Sequence, residues 1–298
     1  MPVWDAERTV DESLARRLVQ EHFPELASLP IVLLSSGWDN TVLTVGDELV
    51  FRFPRREVVL SGFRLELEFL PQLAPLLPSA IPVPEFIGEP SDAFPWPFFG
   101  ARMLPGVELC DTPETSRETL AIELARFLRA LHRDETVQSV GAGLPENWTQ
   151  RADMEVRVPY VLDKLAELDR LWHAPEHVRA LIEDARSLPP PEPKAVCHGD
   201  LHFRHVLVAD GRMSGVIDWI DVCRGEPALD LQIVWSVLPP DERPAFFAEY
   251  GNVDEETLLR ARVVAFHLGA ALLEYGHHEG QPALEREALA SLDRAASP

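Results

Sequence analysis

Short apolar runs separated by small polar turns fill the first third of the chain. Leu14, Leu18 and Val19 fall at helical spacing within residues 11–27, with acidic residues ahead of them, which predicts a leading helix. Ile31–Leu34, Thr41–Val45 and Leu49–Phe53 are β-prone runs joined by Ser35–Asn40 and by Gly46-Asp47, the pattern of a three-stranded antiparallel meander. In the third run Arg52 alternates with Phe51 and Phe53 and so points to the opposite face of its strand. Arg64–Leu70 opens a second helix that ends near Pro71 or continues past it. Ile81–Pro84 is held extended by its prolines, residues 89–97 form a turn, and Phe98–Leu104 is a further strand stopped by Pro105-Gly106.

Helical periodicity dominates from there. Thr115 to Glu118 has capping-box spacing, and Leu120, Leu124, Phe127, Leu128 and Leu131 follow on one face up to His132-Arg133. That face predicts a buried helix in which His132 is structural. Residues 134–150 carry Gly, Pro and Asn and read as a loop, and residues 151–187 read as helical. Pro189, Pro190, Pro191 and Pro193 form a stiff connector. Residues 241–250 and 254–276 are again helical, and from Val263 to Leu273 only His267 is polar, so that helix is largely buried.

Between these helices lies a stretch of different character, Val196 to Asp221. His198-Gly199-Asp200 follows an apolar lead-in, and a short polar loop reaches His205. Val206–Val208 then leads into Asp210-Gly211 and returns through Val216-Ile217 to Asp218. An Asp-Gly pair between two short β-prone runs predicts a hairpin. Such a hairpin folds Asp218 back beside Asp200 and His205. One carboxylate is then free to accept a proton while the other joins the imidazole in holding a divalent cation. Phosphoryl transfer needs this arrangement, since the protein's task there is positioning and charge neutralisation around a metal-bound phosphate.

Composition narrows the class. The 298 residues exceed one small core, so two lobes are expected. No apolar run approaches the ~20 residues of a membrane span, and the acidic, polar start MPVWDAERTVDESL is unlike a signal peptide. The three cysteines, Cys110, Cys197 and Cys223, are far apart, which suits a reducing cytoplasm better than a disulfide framework. A net charge of −22 argues against nucleic-acid or anionic-membrane partners and is compatible with a cationic small molecule. His198, His202 and His205 lie close in sequence, but their spacing is not that of a structural zinc site, and His202 is read as peripheral.

The kinase catalytic loop has the form H-R-D-x4-N followed by an Asp-led metal motif. Here His198-Gly199-Asp200 is followed after four residues by His205, and Asp218-Trp219-Ile220 stands at the metal-motif position. The stretch resembles the aminoglycoside and macrolide phosphotransferases, in which H-G-D replaces H-R-D, and a His at 205 in place of Asn is similar to the macrolide and 2″-aminoglycoside branch. The resemblance implies an α+β, bilobal protein-kinase-like fold. Residues 1–101 would form a small β-rich nucleotide-binding lobe, 102–106 a hinge, and 107–298 a larger, mainly helical lobe with the catalytic loop and acceptor site. It implies Asp200 as catalytic base and His205 and Asp218 as ligands of Mg2+, with Mn2+ as the alternative because imidazole is an unusual magnesium ligand. His198 would brace the loop, and Asp230, in Glu226–Leu231, would anchor its backbone.

The same resemblance makes Gly37 and Asn40 a nucleotide-covering turn. It pairs Arg52, standing where kinases have Lys, with Glu66 (Glu68 being the second choice), and offers the backbone of Arg102, Met103 and Leu104 to the base. Glu274, on the buried helix, is a candidate acceptor contact. The implied activity is transfer of the γ-phosphate of ATP or GTP to a hydroxyl of an aminoglycoside- or macrolide-like antibiotic or related metabolite, by a cytoplasmic monomer or homodimer. Arg52 and His205, both departures from the general kinase pattern, leave a regulatory nucleotide-binding pseudokinase as the alternative, and the His/Asp cluster leaves a metal-dependent hydrolase.

Overall fold

The computed structural model describes residues 6–112 and 118–298. These fall into two compact units, one of Met1–Pro75 and Ala80–Leu104, the other of Leu76–Ser79 and Pro105–Pro298. Residues 115–117 of the capping-box reading lie outside the described ranges.

The first unit opens with α1 (Glu12–His22), started by Asp11, whose carboxylate accepts the Leu14 N–H at 2.7 Å. Strands β1 (Ile31–Ser36), β2 (Asn40–Val45) and β3 (Leu49–Pro54) form the expected meander, and the helix α2 (Leu60–Leu73) runs through Pro71 rather than stopping there. Strands β4 (Pro84–Gly88) and β5 (Phe98–Arg102) complete a five-stranded antiparallel sheet in the order β1-β2-β3-β5-β4. Two-residue periodicity gives the sheet two different faces. Phe51, Phe53 and Phe98 point to one and pack with Phe23 from the end of α1; Phe99 and Ala101 point to the other and pack on Phe63 of α2. Gly100 is required where these rings crowd, because a Cβ there would lie 2.4 Å from the Phe51 ring.

In the second unit β6 (Val107–Glu108) precedes α3 (Glu118–His132). Residues 134–150 are not simply the loop predicted: they contain α4 (Asp134–Val140) and a 3-10 turn. Asp134 and Glu135 in its first turn complement the helix dipole, and Thr136 and Val140 are buried, so this helix of about two turns is held by packing despite the glycines that follow. The span 151–187 divides into α5 (Met154–Glu167) and α6 (Glu176–Asp184), with Pro175 at the break. Then come β7 (Ala195–Cys197), β8 (Val206–Ala209), β9 (Arg212–Val216) and β10 (Cys223–Gly225), followed by α7 (Ala228–Val237), α8 (Arg243–Tyr250), α9 (Glu255–His278) and α10 (Pro282–Ala296).

Two small sheets, β6-β8-β9 and β7-β10, carry the polar stretch. Behind them every residue of α7 except Trp235 is buried, and α9 packs on α7, α10 and α5. Strand β10 and helix α10 lie beyond the elements predicted from periodicity, although Leu284, Ala288, Leu292 and Ala295 give α10 an ordinary buried stripe. Among the described residues no helix is long and apolar enough to cross a membrane.

Candidate active site

The chain leaves β7 at Cys197 and turns at once, with Gly199 at φ +86°. A Cβ at this position would lie 2.3 Å from the Asp221 carbonyl oxygen, so glycine is needed both for the dihedral and for the backbone approach. Asp230, in the first turn of α7, accepts the His198 N–H at 2.8 Å on Oδ2 and the Gly199 N–H at 3.0 Å on Oδ1. His132 Nε2–H donates to the same carboxylate at 3.1 Å, while its Nδ1 faces the Tyr250 hydroxyl at 2.8 Å. The loop is thus fastened from below by one buried carboxylate.

The hairpin of β8 and β9 forms around Asp210 and Gly211, both with positive φ (52° and 75°), the dihedral signs of a type I′ turn. Its return strand is tied to the loop by the Ile217 N–H donating to the His205 carbonyl at 2.9 Å. Asp218 follows at φ +64°, a conformation a non-glycine residue keeps only where its surroundings hold it.

Three histidines have their tautomers set by their partners. His198 Nε2–H donates to the Ile217 carbonyl at 3.0 Å, and its Nδ1 accepts the Asp200 N–H at 3.3 Å. Burial, reinforced by neighbouring His205, pushes the His198 pKa down to about 4, so the ring is neutral. His205 Nδ1–H donates to the Asp200 carbonyl at 2.8 Å, so in the neutral ring the lone pair is on Nε2, 3.4 Å from Asp218 Oδ2. His202 is the reverse. Its Nδ1 accepts the Arg204 N–H at 3.2 Å, so the proton sits on Nε2, 3.8 Å from Asp200 Oδ2. Burial likewise holds the His202 pKa well below the ordinary value.

His202 is therefore not peripheral. It is buried against His205, the two ring centroids 3.8 Å apart, and faces the Asp200 carboxylate. Asp200, His202 and His205 each present a potential ligand atom within 4.8 Å of the others. Proximity alone does not make a metal site: His202 Nε2 carries a proton. His205 Nε2 and Asp218 do offer converging lone pairs, and this pair fits a divalent cation.

Two further residues complete the cluster. Arg151, in the lead-in to α5, donates from Nη1 to the Gly199 carbonyl and to Asp221 Oδ2, both at 2.7 Å, and lies 3.2 Å from Asp200 Oδ1. Burial raises the Asp221 pKa and Arg151 opposes it. Burial disfavours the Arg151 cation too, but Asp200 and Asp221 together outweigh that and hold its pKa above the usual range. The only signal for Arg151 in the sequence is its isolation, since it is the one Lys or Arg between Arg133 and Arg157. Nothing in spacing connects it to Asp200.

In the first unit Arg52 Nη1 lies 2.5 Å from Glu66 Oε1, with Arg52 8% exposed, Glu66 fully buried and the guanidinium 5.5 Å from the Phe99 ring. Glu68 is exposed. The Gly37 N–H donates to the Asn40 carbonyl at 3.0 Å, closing the turn; Arg55 donates to the Gly37 carbonyl and Arg56 pairs with Asp39. Asn40 is buried with its Oδ1 unsatisfied, and a Cβ at Gly37 would meet nothing closer than 3.9 Å. The Arg102 side chain pairs with Glu48 at 2.8 Å and Glu85 at 3.3 Å. The Met103 N–H is engaged by the Glu48 carbonyl at 2.8 Å, so that donor is taken, and Leu104 is half-buried at the end of the unit. Back in the second unit, Glu274 pairs with Lys164 of α5 at 3.1 Å rather than with the catalytic loop.

Comparison with known proteins bears on the fold and the family. The phosphotransferase enzyme family matches residues 30–264. Viomycin phosphotransferase of Streptomyces vinaceus is 33% identical over 159 residues, 46% of this chain and 49% of that protein. An aminoglycoside 3'-phosphotransferase of Escherichia coli is 29% identical over 159 residues, 49% of this chain and 52% of that protein. The chain thus spans about half the length of these curated relatives. Among solved structures, the GDP complex of wild-type aminoglycoside 2'-phosphotransferase-IIIa superposes with a TM-score of 0.70 at 21% identity, over 96% of this chain and 99% of that one. The fold is that of the kinase-like aminoglycoside phosphotransferases, and the chain belongs to the phosphotransferase enzyme family.

Proposed function

We propose that the protein transfers the γ-phosphate of a purine nucleoside triphosphate to a hydroxyl of a small molecule of the aminoglycoside, macrolide or related class. The observation that carries this reading is the convergence of Asp200, His205 and Asp218, with His205 Nε2 directed at Asp218 Oδ2 and Nδ1 fixed by the Asp200 backbone. Asp200 accepts the proton of the acceptor hydroxyl on its carboxylate, and His198 and Asp230 keep its loop in register. His205 and Asp218 would hold Mg2+ or Mn2+, whose charge would offset that of the donor's phosphates.

Residues 1–101 are assigned to nucleotide binding, 102–106 to a hinge and 107–298 to catalysis and the acceptor. Arg52, held by Glu66, serves the α- and β-phosphates, and Gly37 with Asn40 covers them. Arg102 to Leu104 offer backbone to the base, with the Met103 carbonyl in place of its engaged N–H. Glu274 is kept as an acceptor contact with Lys164 beside it. The charge of −22 favours a cationic acceptor. A regulatory pseudokinase is not favoured, since the base and both cation-holding positions carry competent side chains in one place.

The test is a coupled transfer assay with ATP and GTP against a panel of aminoglycosides, viomycin-type peptides and macrolides, preceded by a thermal-shift screen of the same compounds. Stabilisation by nucleotide with acceptor-dependent turnover supports the reading. Nucleotide binding with no transfer to any hydroxyl compound would return it to the pseudokinase alternative.

A further inference from the structure

Arg151 touches three groups that belong to two separate segments of the site. The Gly199 carbonyl and the Asp200 carboxylate lie on the loop after β7; Asp221 lies three residues beyond Asp218, on the return from the hairpin. These segments meet backbone to backbone at Gly199 and Asp221, too closely for a side chain to intervene. One cation can therefore serve both. Asp221 is 7% exposed, and a carboxylate buried to that degree needs a cationic or hydrogen-bonding partner.

We propose that Arg151 is a positioning residue, which aims the Asp200 carboxylate and locks its loop to the segment bearing Asp218. The inference rests on the phosphotransferase reading above. Oδ1 lies 3.2 Å from Arg151 Nη1 and Oδ2 3.8 Å from His202 Nε2, so the arginine charge on one side and the ring on the other bias the carboxylate's orientation before a hydroxyl arrives. In a loose phosphoryl-transfer transition state there is little covalent chemistry for the protein to do, so placement of the base matters more than its strength. Arginine suits the task and lysine does not. All three contacts are made by one nitrogen, Nη1, whose place is set by the rigid guanidinium plane, whereas an ammonium is a point charge on a shorter, flexible stem.

The experiment compares wild type, R151K, R151A and D221N with an acceptor that the wild type phosphorylates. It measures kcat, both KM values, nucleotide affinity by calorimetry, and recovery on adding guanidinium chloride below denaturing concentration. R151A is expected to lose kcat by on the order of 10²-fold, the scale of a misplaced reacting group. Nucleotide affinity and both KM values should stay within about threefold, and guanidinium should restore part of kcat to R151A and none to R151K. R151K, which retains the charge and so the fold, is expected to fall by about tenfold, and D221N by less because Arg151 keeps Asp200.

Unchanged kcat in R151K overturns the proposal. So does a loss in R151A that appears equally in KM and melting temperature and is not rescued by guanidinium, because Arg151 would then be structural only. If the wild type transfers phosphate to no acceptor, the functional reading falls and takes this inference with it. That outcome is distinguished by the wild-type control alone.

Discussion

His205 Nε2 lies 3.4 Å from Asp218 Oδ2, with the other ring nitrogen committed to the Asp200 carbonyl. The carbonyl can only accept, so Nδ1 carries a proton, and in the neutral ring Nε2 presents a lone pair to a carboxylate. Two facing acceptors repel unless a cation or a proton lies between them. Mn2+ titration followed by electron paramagnetic resonance, with nucleotide present, should therefore find one site. H205A and D218A should each weaken it by at least about 10–100-fold, the effect that even a group behind a metal ligand has. Unaltered Mn2+ affinity in both variants would remove these residues from the metal's surroundings.

Asp200→Ala should separate chemistry from binding. Removing a general base costs on the order of 10²–10⁴ in rate. The nucleotide contacts assigned to Arg52 and to Gly37 with Asn40 lie in the first unit and do not involve Asp200. Steady-state kinetics and calorimetry on D200A should show that loss in kcat with nucleotide affinity nearly unchanged. Full turnover in this variant would show that the proton leaves by another route.

The parts of the site that were legible in the sequence are those governed by local chemistry. The Asp-Gly turn fixed the hairpin register, and that register carried Asp218 back to His205. The alternation of Phe51, Arg52 and Phe53 placed Arg52 on the face that α2 covers with Glu66. What was hidden depends on tertiary proximity or on tautomer. Arg151 lies in the turn ahead of α5, and nothing in that helix's periodicity relates it to Asp200. His202 looked peripheral because a ring's role is set by its partners, here the Arg204 N–H. Helix α4 was obscured because its composition, with glycines close behind, is that of a loop, and only buried Thr136 and Val140 hold it in place.

Asp230 should matter to stability as much as to rate. It is fully buried and accepts from two successive backbone amides and from His132. Truncation to Ala leaves the His198 and Gly199 N–H groups without partners, each costing ~1–3 kcal/mol when buried. D230A is expected to lose on the order of 3 kcal/mol in urea unfolding, with the slope of the transition unchanged. D230N retains acceptance through its one oxygen and should lie between. A D230A variant as stable as wild type would mean the loop holds its shape without this anchor.

Acid should unfold the protein partly through His267. This ring sits in α9, with Arg157 Nη1 3.3 Å from its Nε2 and Tyr160 edge-on, both from α5. Burial, then the nearby Arg157 and Arg151 charges, hold its pKa well below the ordinary 6.5. In the folded state the ring stays neutral where the unfolded chain already binds a proton. Unfolding thus takes up protons as the pH falls below about 6.5, and stability declines with it. Above that pH both states are neutral and the group contributes no slope. His267→Leu removes the linkage, though it changes shape beside Arg157, so the comparison to make is the pH dependence and not the absolute stability. Urea midpoints between about pH 5 and 7.5 should fall less steeply toward acid in H267L than in wild type, with equal slopes on the neutral side. Identical pH profiles for the two proteins would show that His267 titrates normally in the fold and that the acid sensitivity arises elsewhere.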